Sequence, residues 1–294
     1  MIPRSFEYVA PTSLQEALTY LDKYGADSKI LAGGQSLIPL MKLRLASPKY
    51  LIDLNRVSWL DYIREEGGWM KIGPMTRHHS IETSSLLWRK AEILPETASM
   101  IGDPQVRNSG TIGGSLVHAD PAADWGAVII ALGGSMKLAS SSGERTVKAD
   151  DFFVDSLTSA AKPNEILTEI IFPDHKVSGG AYGKLERKTT DFATVGVAAQ
   201  LVLDASGMCE RVGIGLSSVA PTNVRASKAE AVLKGKEPTR DRIAEAAKAA
   251  AEESKPTDDP LRGSAGYKRA MVRVFAERSL NRALERAKRK AAEQ

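Results

Sequence analysis

The chain has 294 residues, of which 43% are hydrophobic and 26% charged, and its formal net charge is +4. This composition predicts a globular protein with a sizeable core, and the length predicts two domains or more. The small net charge does not favour nucleic-acid binding. A single cysteine, Cys209, excludes an internal disulfide and any cysteine cluster for zinc or iron–sulfur binding. No apolar run has membrane-spanning length and no signal-peptide core is evident, so we expect a cytoplasmic protein.

The N-terminal part of the sequence predicts alternating helices and strands. A capping box at Ser13 begins a helix with apolar residues at helical spacing, and Gly25 stands where that helix would end. A short strand at residues 29–32 leads into the first glycine segment, Ala32-Gly33-Gly34-Gln35-Ser36. Ser36 is predicted to cap a second helix over residues 37–45.

The middle of the sequence predicts helices and short strands around a second glycine-rich stretch. A turn-rich lead at residues 103–108 precedes this second glycine segment, Thr111-Ile112-Gly113-Gly114-Ser115. The order of three short alternating runs, residues 135–139, 145–147 and 165–172, favours antiparallel pairing rather than repeated βαβ units. Strands are predicted at residues 50–54, 69–72, 135–139, 145–147 and 165–172, and helices at residues 80–88, 91–101 and 121–132.

The C-terminal part changes in character near residues 177–180. Three strands are predicted at residues 182–187, 194–203 and 209–217, followed by three helices at 225–233, 239–253 and 264–288. Three strands followed by three helices indicate an α+β module. We therefore expect two domains, residues 1–177 and residues 178–294.

The two glycine segments are the most informative feature of the sequence. Glycine lets a backbone turn sharply and approach a ligand closely, because no Cβ intervenes. Consecutive N–H groups in such a turn can form a concave site for an anion. Two such segments in one domain predict a ligand with two linked phosphates, and hence a dinucleotide.

Other motifs have simpler alternatives. The Rossmann and Walker A patterns are absent near either glycine segment, and Gly213-Ile214-Gly215 is more typical of a glycine-rich strand. His118, Asp120 and Asp124 could suggest a metal site, but they directly follow the second glycine segment, and a loop shaped around a nucleotide explains them more simply.

Basic residues are concentrated in the last predicted helix. A solvated helix face is the simpler interpretation, and a docking surface for an acidic partner is the alternative. The residues are Arg278, Arg282, Arg286, Lys288, Arg289 and Lys290.

Several runs together resemble the FAD-binding medium subunits of molybdenum hydroxylases, the xanthine oxidase family. They are LAGGQSLIPLMK at residues 31–42, DPQVRN at 103–108, TIGGS at 111–115, KLERK at 184–188 and LRGSA at 261–265. The resemblance covers the whole chain. It implies an α+β fold: a vanillyl-alcohol-oxidase-type FAD-binding domain of two lobes, about residues 1–57 and 58–177, and a C-terminal domain with a three-stranded antiparallel sheet and helices.

The resemblance also implies site residues. In that family the two glycine segments bind the FAD pyrophosphate, and an aspartate near the nucleotide corresponds to Asp124. The backbone near the flavin ring corresponds to Leu167, a basic contact to Lys184, and the aromatic residue beside the ring to Phe192. No His or Cys suited to a covalent flavin bond is evident, so we expect FAD to bind without a covalent link.

The resemblance further implies an electron-transfer role. In the family a large subunit carries the molybdenum cofactor and a small subunit carries two [2Fe–2S] clusters, while the flavin passes electrons to an acceptor such as a quinone. We expect a dimer of heterotrimers, no transmembrane segment and no nucleic-acid partner, with peripheral association to the inner membrane through the complex. A self-contained FAD-dependent oxidase of the same superfamily and a non-catalytic nucleotide-binding regulator are the alternatives.

Overall fold

The computed structural model describes residues 2–293, which form twelve α-helices and fourteen β-strands. The helices are α1 (Leu14–Tyr24), α2 (Leu37–Lys42), α3 (His78–Glu82), α4 (Ser85–Lys90), α5 (Ile93–Ser99), α6 (Pro104–Ser109), α7 (Ile112–His118), α8 (Asp124–Leu132), α9 (Ala149–Phe152), α10 (Ser227–Leu233), α11 (Arg240–Glu253) and α12 (Ala265–Ala292). The strands are β1 (Glu7–Val9), β2 (Ser28–Leu31), β3 (Tyr50–Asp53), β4 (Ile63–Glu66), β5 (Trp69–Ile72), β6 (Ser135–Ser140), β7 (Gly143–Lys148), β8 (Phe153–Asp155), β9 (Thr158–Ser159), β10 (Ile166–Pro173), β11 (Ser178–Glu186), β12 (Ala193–Leu203), β13 (Cys209–Ser217) and β14 (Val224–Arg225).

The first lobe is a three-stranded parallel sheet in the order β1-β3-β2, with α1 packed against it. Helix α1 begins as predicted, since the Ser13 hydroxyl accepts a hydrogen bond from the Glu16 N–H at 3.2 Å, and it ends at Gly25. The first glycine segment connects β2 to α2, at the carboxyl edge of this sheet. Ser36 makes no side-chain capping bond, and α2 ends at Lys42, earlier than predicted.

The second lobe is a five-stranded sheet in the order β4-β5-β10-β6-β7, and every pair in it is antiparallel, as predicted for β6, β7 and β10. The predicted helices at residues 80–88 and 91–101 are α3, α4 and α5. Residues 103–108, predicted as turns, mostly form α6. The Asp103 carboxylate accepts from the Val106 N–H at 2.8 Å, and Pro104 occupies the first helical position. Both are features that begin a helix.

The C-terminal domain is an antiparallel sheet in the order β11-β12-β13-β14, covered on one side by α12. Helix α8 of the second lobe packs against β12 and β13. A Cβ on Gly213 or Gly215 would lie within 2.0 Å of a backbone oxygen of α8, so these glycines permit close helix–sheet packing. The motif Gly213-Ile214-Gly215 is thus part of a strand, as the simpler interpretation predicted.

One difference from the sequence expectation is a fourth strand in this sheet. Arg225, predicted to begin a helix, pairs in β14 with β13, and α10 begins only at Ser227. The Arg225 guanidinium donates to Asp150 at 2.6 Å and to Glu230 at 2.8 Å. The Asp150 contact and the pairing of Arg225 with Gly215 join residues distant in the sequence, so no local sequence pattern indicates them.

The basic face of α12 is a contact between the two domains. Arg286 donates to Glu96 of α5 at 2.9 Å, and Arg289 donates to Glu92, the residue before α5, at 2.5 Å; both carboxylates are buried. Arg282 also donates to Glu96. Neither interpretation included these contacts within the chain, because the acidic partners lie nearly two hundred residues away. Arg278, Arg282, Lys288 and Arg289 are nevertheless exposed, as the solvated-face interpretation predicts. None of the helices described within residues 2–293 is long and apolar enough to cross a membrane.

Candidate functional site

The two glycine segments lie in contact with each other, although almost eighty residues separate them in the sequence. A Cβ placed on Gly33 would lie 2.3 Å from the Ser109 carbonyl oxygen and 2.9 Å from the Thr111 nitrogen. A Cβ on Gly114 would lie 3.4 Å from the Ala32 Cβ. Only a residue without a side chain fits at Gly33, because its neighbours are backbone atoms that cannot move aside.

The first glycine segment presents a row of unused donors. Among residues 2–293, no acceptor bonds to the backbone N–H groups of Gly33, Gly34, Gln35 or Ser36, and the Thr111 N–H is also without an acceptor. Gly34 adopts φ +73°, a left-handed conformation that glycine accommodates without strain. Successive free N–H groups around such a turn suit an anion.

The second glycine segment is different from the expected loop. Thr111 is the N-cap of α7, and residues 112–115 form the first turn of that helix. The Thr111 hydroxyl accepts from the Gly114 N–H at 3.1 Å, while the Ile112 and Gly113 N–H groups donate to Thr76 and Pro74 carbonyls. A Cβ on Gly113 would lie 2.4 Å from the Pro74 side chain. These glycines therefore serve close packing, and the N–H groups of residues 112–115 are already used inside the protein.

Two side chains that the sequence analysis missed connect the segments. Arg77 donates to the Ser109 carbonyl, beside the second segment, and to the Asn55 side-chain oxygen. Asn55 in turn donates to the Ala32 carbonyl of the first segment at 3.0 Å. Asn55 follows the carboxyl end of β3, and ligand sites often occur at that edge of a parallel sheet. This position is the sequence feature from which Asn55 could have been predicted as a site residue.

Asp124 and Lys184 form a buried ion pair. Their charged groups lie 3.2 Å apart, with side-chain exposures of 6% and 3% respectively. Asp124 also accepts from the Tyr182 hydroxyl at 2.7 Å, and Lys184 also donates to the Met100 carbonyl at 2.9 Å. Burial raises the pKa of the Asp124 carboxyl, against the lowering effect of Lys184 and Tyr182. Both oxygens of Asp124 thus accept hydrogen bonds from side chains of this chain, and the carboxylate fixes the position of the Lys184 ammonium.

Lys184 lines a cleft of about 520 Å³ between the second lobe and the C-terminal domain. Other lining residues include Met100, Gly102, Arg107, Glu186 and Thr190. Helix α6 begins beside this cleft and ends beside the second glycine segment. The six residues of α6 span about 9 Å at 1.5 Å per residue. The cleft and the free N–H groups are therefore close enough for one extended ligand to reach both.

Phe192 and Leu167 occupy different surroundings. Phe192 follows the loop that contributes Thr190 to the cleft, and its side chain is 51% exposed. Leu167 lies in β10, paired with Leu138 of β6, and its side chain belongs to the same core as Ile112 of the second glycine segment. The structure thus places Phe192 near the cleft and Leu167 in the sheet behind α7.

The histidines do not form a metal site with acidic neighbours. Within residues 2–293 no group of three His, Cys, Asp or Glu side chains is arranged to hold a metal ion. Asp120 accepts from the Ala122 N–H at 2.8 Å in a local turn. His78 is buried, its Nδ1 accepts from the Trp125 Nε1–H at 3.2 Å, and burial lowers its pKa to about 4.

Comparison with known protein families accounts for both domains. The family described as the FAD binding domain in molybdopterin dehydrogenase matches residues 4–175, and the CO dehydrogenase flavoprotein C-terminal domain matches residues 180–283. The chain belongs to the FAD-binding subunits of the molybdenum hydroxylase family. It is therefore a subunit of a multi-subunit oxidoreductase, and the α+β fold expected from the resemblance is confirmed.

Relatives with several substrates share the full length of this subunit. The carbon monoxide dehydrogenase medium chain of Hydrogenophaga pseudoflava is 43% identical over 97% of this chain and 99% of its own length. The 6-hydroxypseudooxynicotine dehydrogenase complex subunit alpha of Paenarthrobacter nicotinovorans is 38% identical over 98% of this chain and 97% of its own. Among solved structures, the H. pseudoflava carbon monoxide dehydrogenase superposes with a TM-score of 0.93 at 44% identity, covering 97% of this chain and 99% of that chain. Quinoline 2-oxidoreductase from Pseudomonas putida 86 superposes with a TM-score of 0.90 at 33% identity, covering 98% of this chain and 99% of that chain.

Proposed function

We propose that this chain is the electron-transfer subunit of a heterotrimeric molybdenum hydroxylase. Electrons from [2Fe–2S] clusters of a small partner subunit pass through its FAD to an external acceptor such as a quinone, while a large partner subunit carries the molybdenum cofactor. The full-length similarity to the carbon monoxide dehydrogenase medium chain supports this role. Relatives named for nicotine-derived substrates and for glyceraldehyde share the same subunit, so the substrate belongs to the partner chain.

The row of free N–H groups is the observation that carries this proposal. The pyrophosphate of FAD is an anion with two linked phosphates, and residues 32–36 offer four adjacent donors beside the unused Thr111 N–H. A Cβ at Gly33 would fill the space against residues 109–111. The residues present therefore fit the cofactor. In this proposal residues 32–36 bind the pyrophosphate directly, and residues 111–115 form the wall on which residues 32–36 rest.

The cleft beside Lys184 is the proposed position of the flavin ring. Bound FAD supplies the redox chemistry, because it can take up electrons singly and release them in pairs. The Lys184 ammonium lines the cleft and is fixed there by its bonds to Asp124 and to the Met100 carbonyl. A positive charge held there stabilises negative charge on a neighbouring ring. Phe192 covers the ring from the exposed side. The family resemblance, rather than the lining of the cleft, assigns the backbone near Leu167 to the flavin site.

The assembly and location of the subunit are part of the same proposal. We assign residues 1–177 to the FAD-binding domain, with lobes at about 1–57 and 58–177, and residues 178–294 to the C-terminal domain. Two heterotrimers associate into a dimer, and the complex is cytoplasmic, with peripheral contact to the inner membrane. FAD is held by contacts alone, since the only cysteine, Cys209, is buried in the C-terminal sheet with a pKa raised to about 11 by burial.

The mode of FAD binding is tested by acid precipitation of the purified chain. The yellow chromophore should appear in the supernatant, and its mass should be that of intact FAD. Chromophore that remains with the protein pellet contradicts the non-covalent assignment. A purified chain that binds no flavin at all contradicts the proposed function.

The electron-exit role is tested with the complex assembled without this chain. When substrate is added, the clusters of the small subunit should still be reduced, as followed by their visible absorbance, while turnover with a quinone should collapse. Adding the FAD-loaded chain should restore turnover. Rapid quinone turnover in its absence contradicts the role, and substrate oxidation by this chain alone would favour a self-contained oxidase.

A further inference from the structure

Arg77 holds a position that the proposed function does not by itself explain. Its backbone is attached to the second glycine segment on both sides: the His78 N–H donates to the Gly110 carbonyl at 3.0 Å, and the Ile112 N–H donates to the Thr76 carbonyl at 3.1 Å. Arg77 and Thr111 form a β-bridge between these two bonds. The Cα of Arg77 is therefore fixed relative to residues 110–112.

The guanidinium of Arg77 extends from this fixed point to the first glycine segment. One nitrogen donates to the Ser109 carbonyl, the atom that Gly33 rests on. Another nitrogen donates to the side-chain oxygen of Asn55, whose amide nitrogen donates to the Ala32 carbonyl. The Arg77 side chain thus joins the two segments: it donates directly to Ser109, beside the second segment, and reaches the first segment through Asn55.

The amide of Asn55 is held in a single orientation by its own neighbours. Asp53 accepts from the backbone N–H of Asn55 at 2.9 Å and also accepts from its side-chain nitrogen. The second oxygen of Asp53 accepts from the Tyr8 hydroxyl at 2.5 Å. Because the amide nitrogen faces Asp53 and Ala32, the amide oxygen must face Arg77. The connection therefore continues from the first strand of the lobe to the second glycine segment.

The first glycine segment needs such support because it has little of its own. The N–H groups of residues 33–36 donate to nothing within residues 2–293, so these residues have no ladder bonds of the kind that hold a strand. Its carbonyls accept helical bonds from α2 and the Asn55 bond to Ala32, and the Gln35 amide makes a 3.3 Å contact with the Gly33 carbonyl. It is also held by packing: Ala32 lies against the core of the first lobe, and Gly33 lies against residues 109–111. A binding site keeps its affinity only when its donors are held in the geometry that the ligand requires.

We propose that Arg77 is a positioning residue for the pyrophosphate site, joining the two glycine segments through Ser109 and Asn55 and holding the free N–H groups of residues 33–36 and of Thr111 at the spacing that a diphosphate needs. This inference rests on the proposed function. A planar guanidinium can bond two acceptors that lie apart, whereas an ammonium of equal charge is a point donor. The identity of the residue, and not its charge alone, should therefore matter.

The test measures the FAD dissociation constant of the full-length chain by equilibrium dialysis. Arg77→Gln and Arg77→Lys should each weaken FAD binding at least ~10-fold, equivalent to roughly 1.4 kcal/mol. Arg56→Gln is the matched control. Arg56 is exposed and lies next to Asn55 in the sequence, and the substitution removes the same positive charge as Arg77→Gln. Its dissociation constant should stay within ~2-fold of the unmodified chain. An Arg77→Lys variant that binds as tightly as the unmodified chain overturns the proposal.

A double-mutant cycle separates this role from general destabilisation. Asn55→Ala should weaken FAD binding as Arg77→Gln does, and the double variant should lose no more than ~3-fold beyond the weaker-binding single variant, because both changes break one connection. Fully multiplicative losses overturn the proposal. So does a lowered unfolding temperature of the FAD-free chain with unchanged FAD affinity. Absence of FAD binding by the unmodified chain contradicts the proposed function itself, whereas equal binding by all variants contradicts this inference alone.

Discussion

The two glycine segments have similar sequences and opposite hydrogen-bonding states. Both contain a Gly-Gly pair near a hydroxyl residue, yet residues 33–36 leave their N–H groups free, and residues 112–115 use theirs inside the protein. The difference arises because the second segment has a capping residue, Thr111, immediately before a helix, and an antiparallel neighbour at residues 74–77. A glycine pair therefore indicates close backbone approach, and the surrounding structure decides whether a ligand or another part of the chain approaches.

The largest difference between the segments should appear in FAD affinity. Gly33→Ala should weaken FAD binding at least ~100-fold, about 2.7 kcal/mol, because its methyl group would meet a backbone oxygen at 2.3 Å. Gly114→Ala should weaken binding less than ~10-fold, because its methyl group meets a hydroxyl at 2.9 Å and lies within a helix. Equilibrium dialysis of both variants measures the contrast. Equal losses would mean that the second segment also contacts the phosphates directly.

The packing behind the second segment should make stability depend on pH through His78. The folded-state pKa of about 4 lies below the ordinary value of 6.5, so the unfolded chain takes up the proton first. This stability is complete above pH 6.5 and decreases as pH falls toward 4, with a loss of about 2 kcal/mol by pH 5. Urea unfolding at several pH values measures the slope. His78→Asn, which keeps an acceptor for Trp125, should remove this part of the slope, while the exposed His79→Asn should keep it.

The capping hydroxyls of the two segments should differ in their effect on stability. Thr111→Val removes the acceptor of the Gly114 N–H and should cost about 1 kcal/mol of unfolding free energy. Ser36→Ala removes no capping bond and should change it by less than about 0.5 kcal/mol. Thermal or urea unfolding of the FAD-free chain compares the two directly. A larger loss from Ser36→Ala than from Thr111→Val would reverse the assignment of the structural cap.

The smallest effect should come from Gln35, the exposed side chain of the first segment. Its amide donates only a 3.3 Å bond to the Gly33 carbonyl, and the proposed contact with phosphate uses the backbone. Gln35→Ala should therefore change the FAD dissociation constant by less than ~3-fold. A loss as large as that of Gly33→Ala would show that the side chain, rather than the N–H row, dominates binding.

The basic helix and the turn-rich lead show two ways in which local reasoning failed. Asp103 is a good N-cap residue, and proline is favoured at the first position of a helix. Helix α6 could therefore have been predicted from the sequence by giving the cap more weight than the turn-like composition. The partners of Arg286 and Arg289 could not, because Glu92 and Glu96 lie nearly two hundred residues earlier. A run of basic residues on a helix therefore indicates exposure but does not show which acidic residues the fold places against it. Arg289, for example, is both exposed and paired with Glu92.

The sequence by itself determined the local chemistry of this protein: the helix cap at Ser13, most of the strands, the two glycine pairs and the motifs that indicate the family. These are properties of short stretches, because propensity, capping and close backbone approach depend on neighbouring residues. Only the tertiary structure decided which glycine pair keeps free N–H groups, that Arg77 and Asn55 join the pairs, and that Asp124 meets Lys184. Each of these depends at least in part on contacts between residues more than twenty positions apart, such as Gly113 with Pro74, Arg77 with Asn55 and Asp124 with Lys184, which no local pattern encodes.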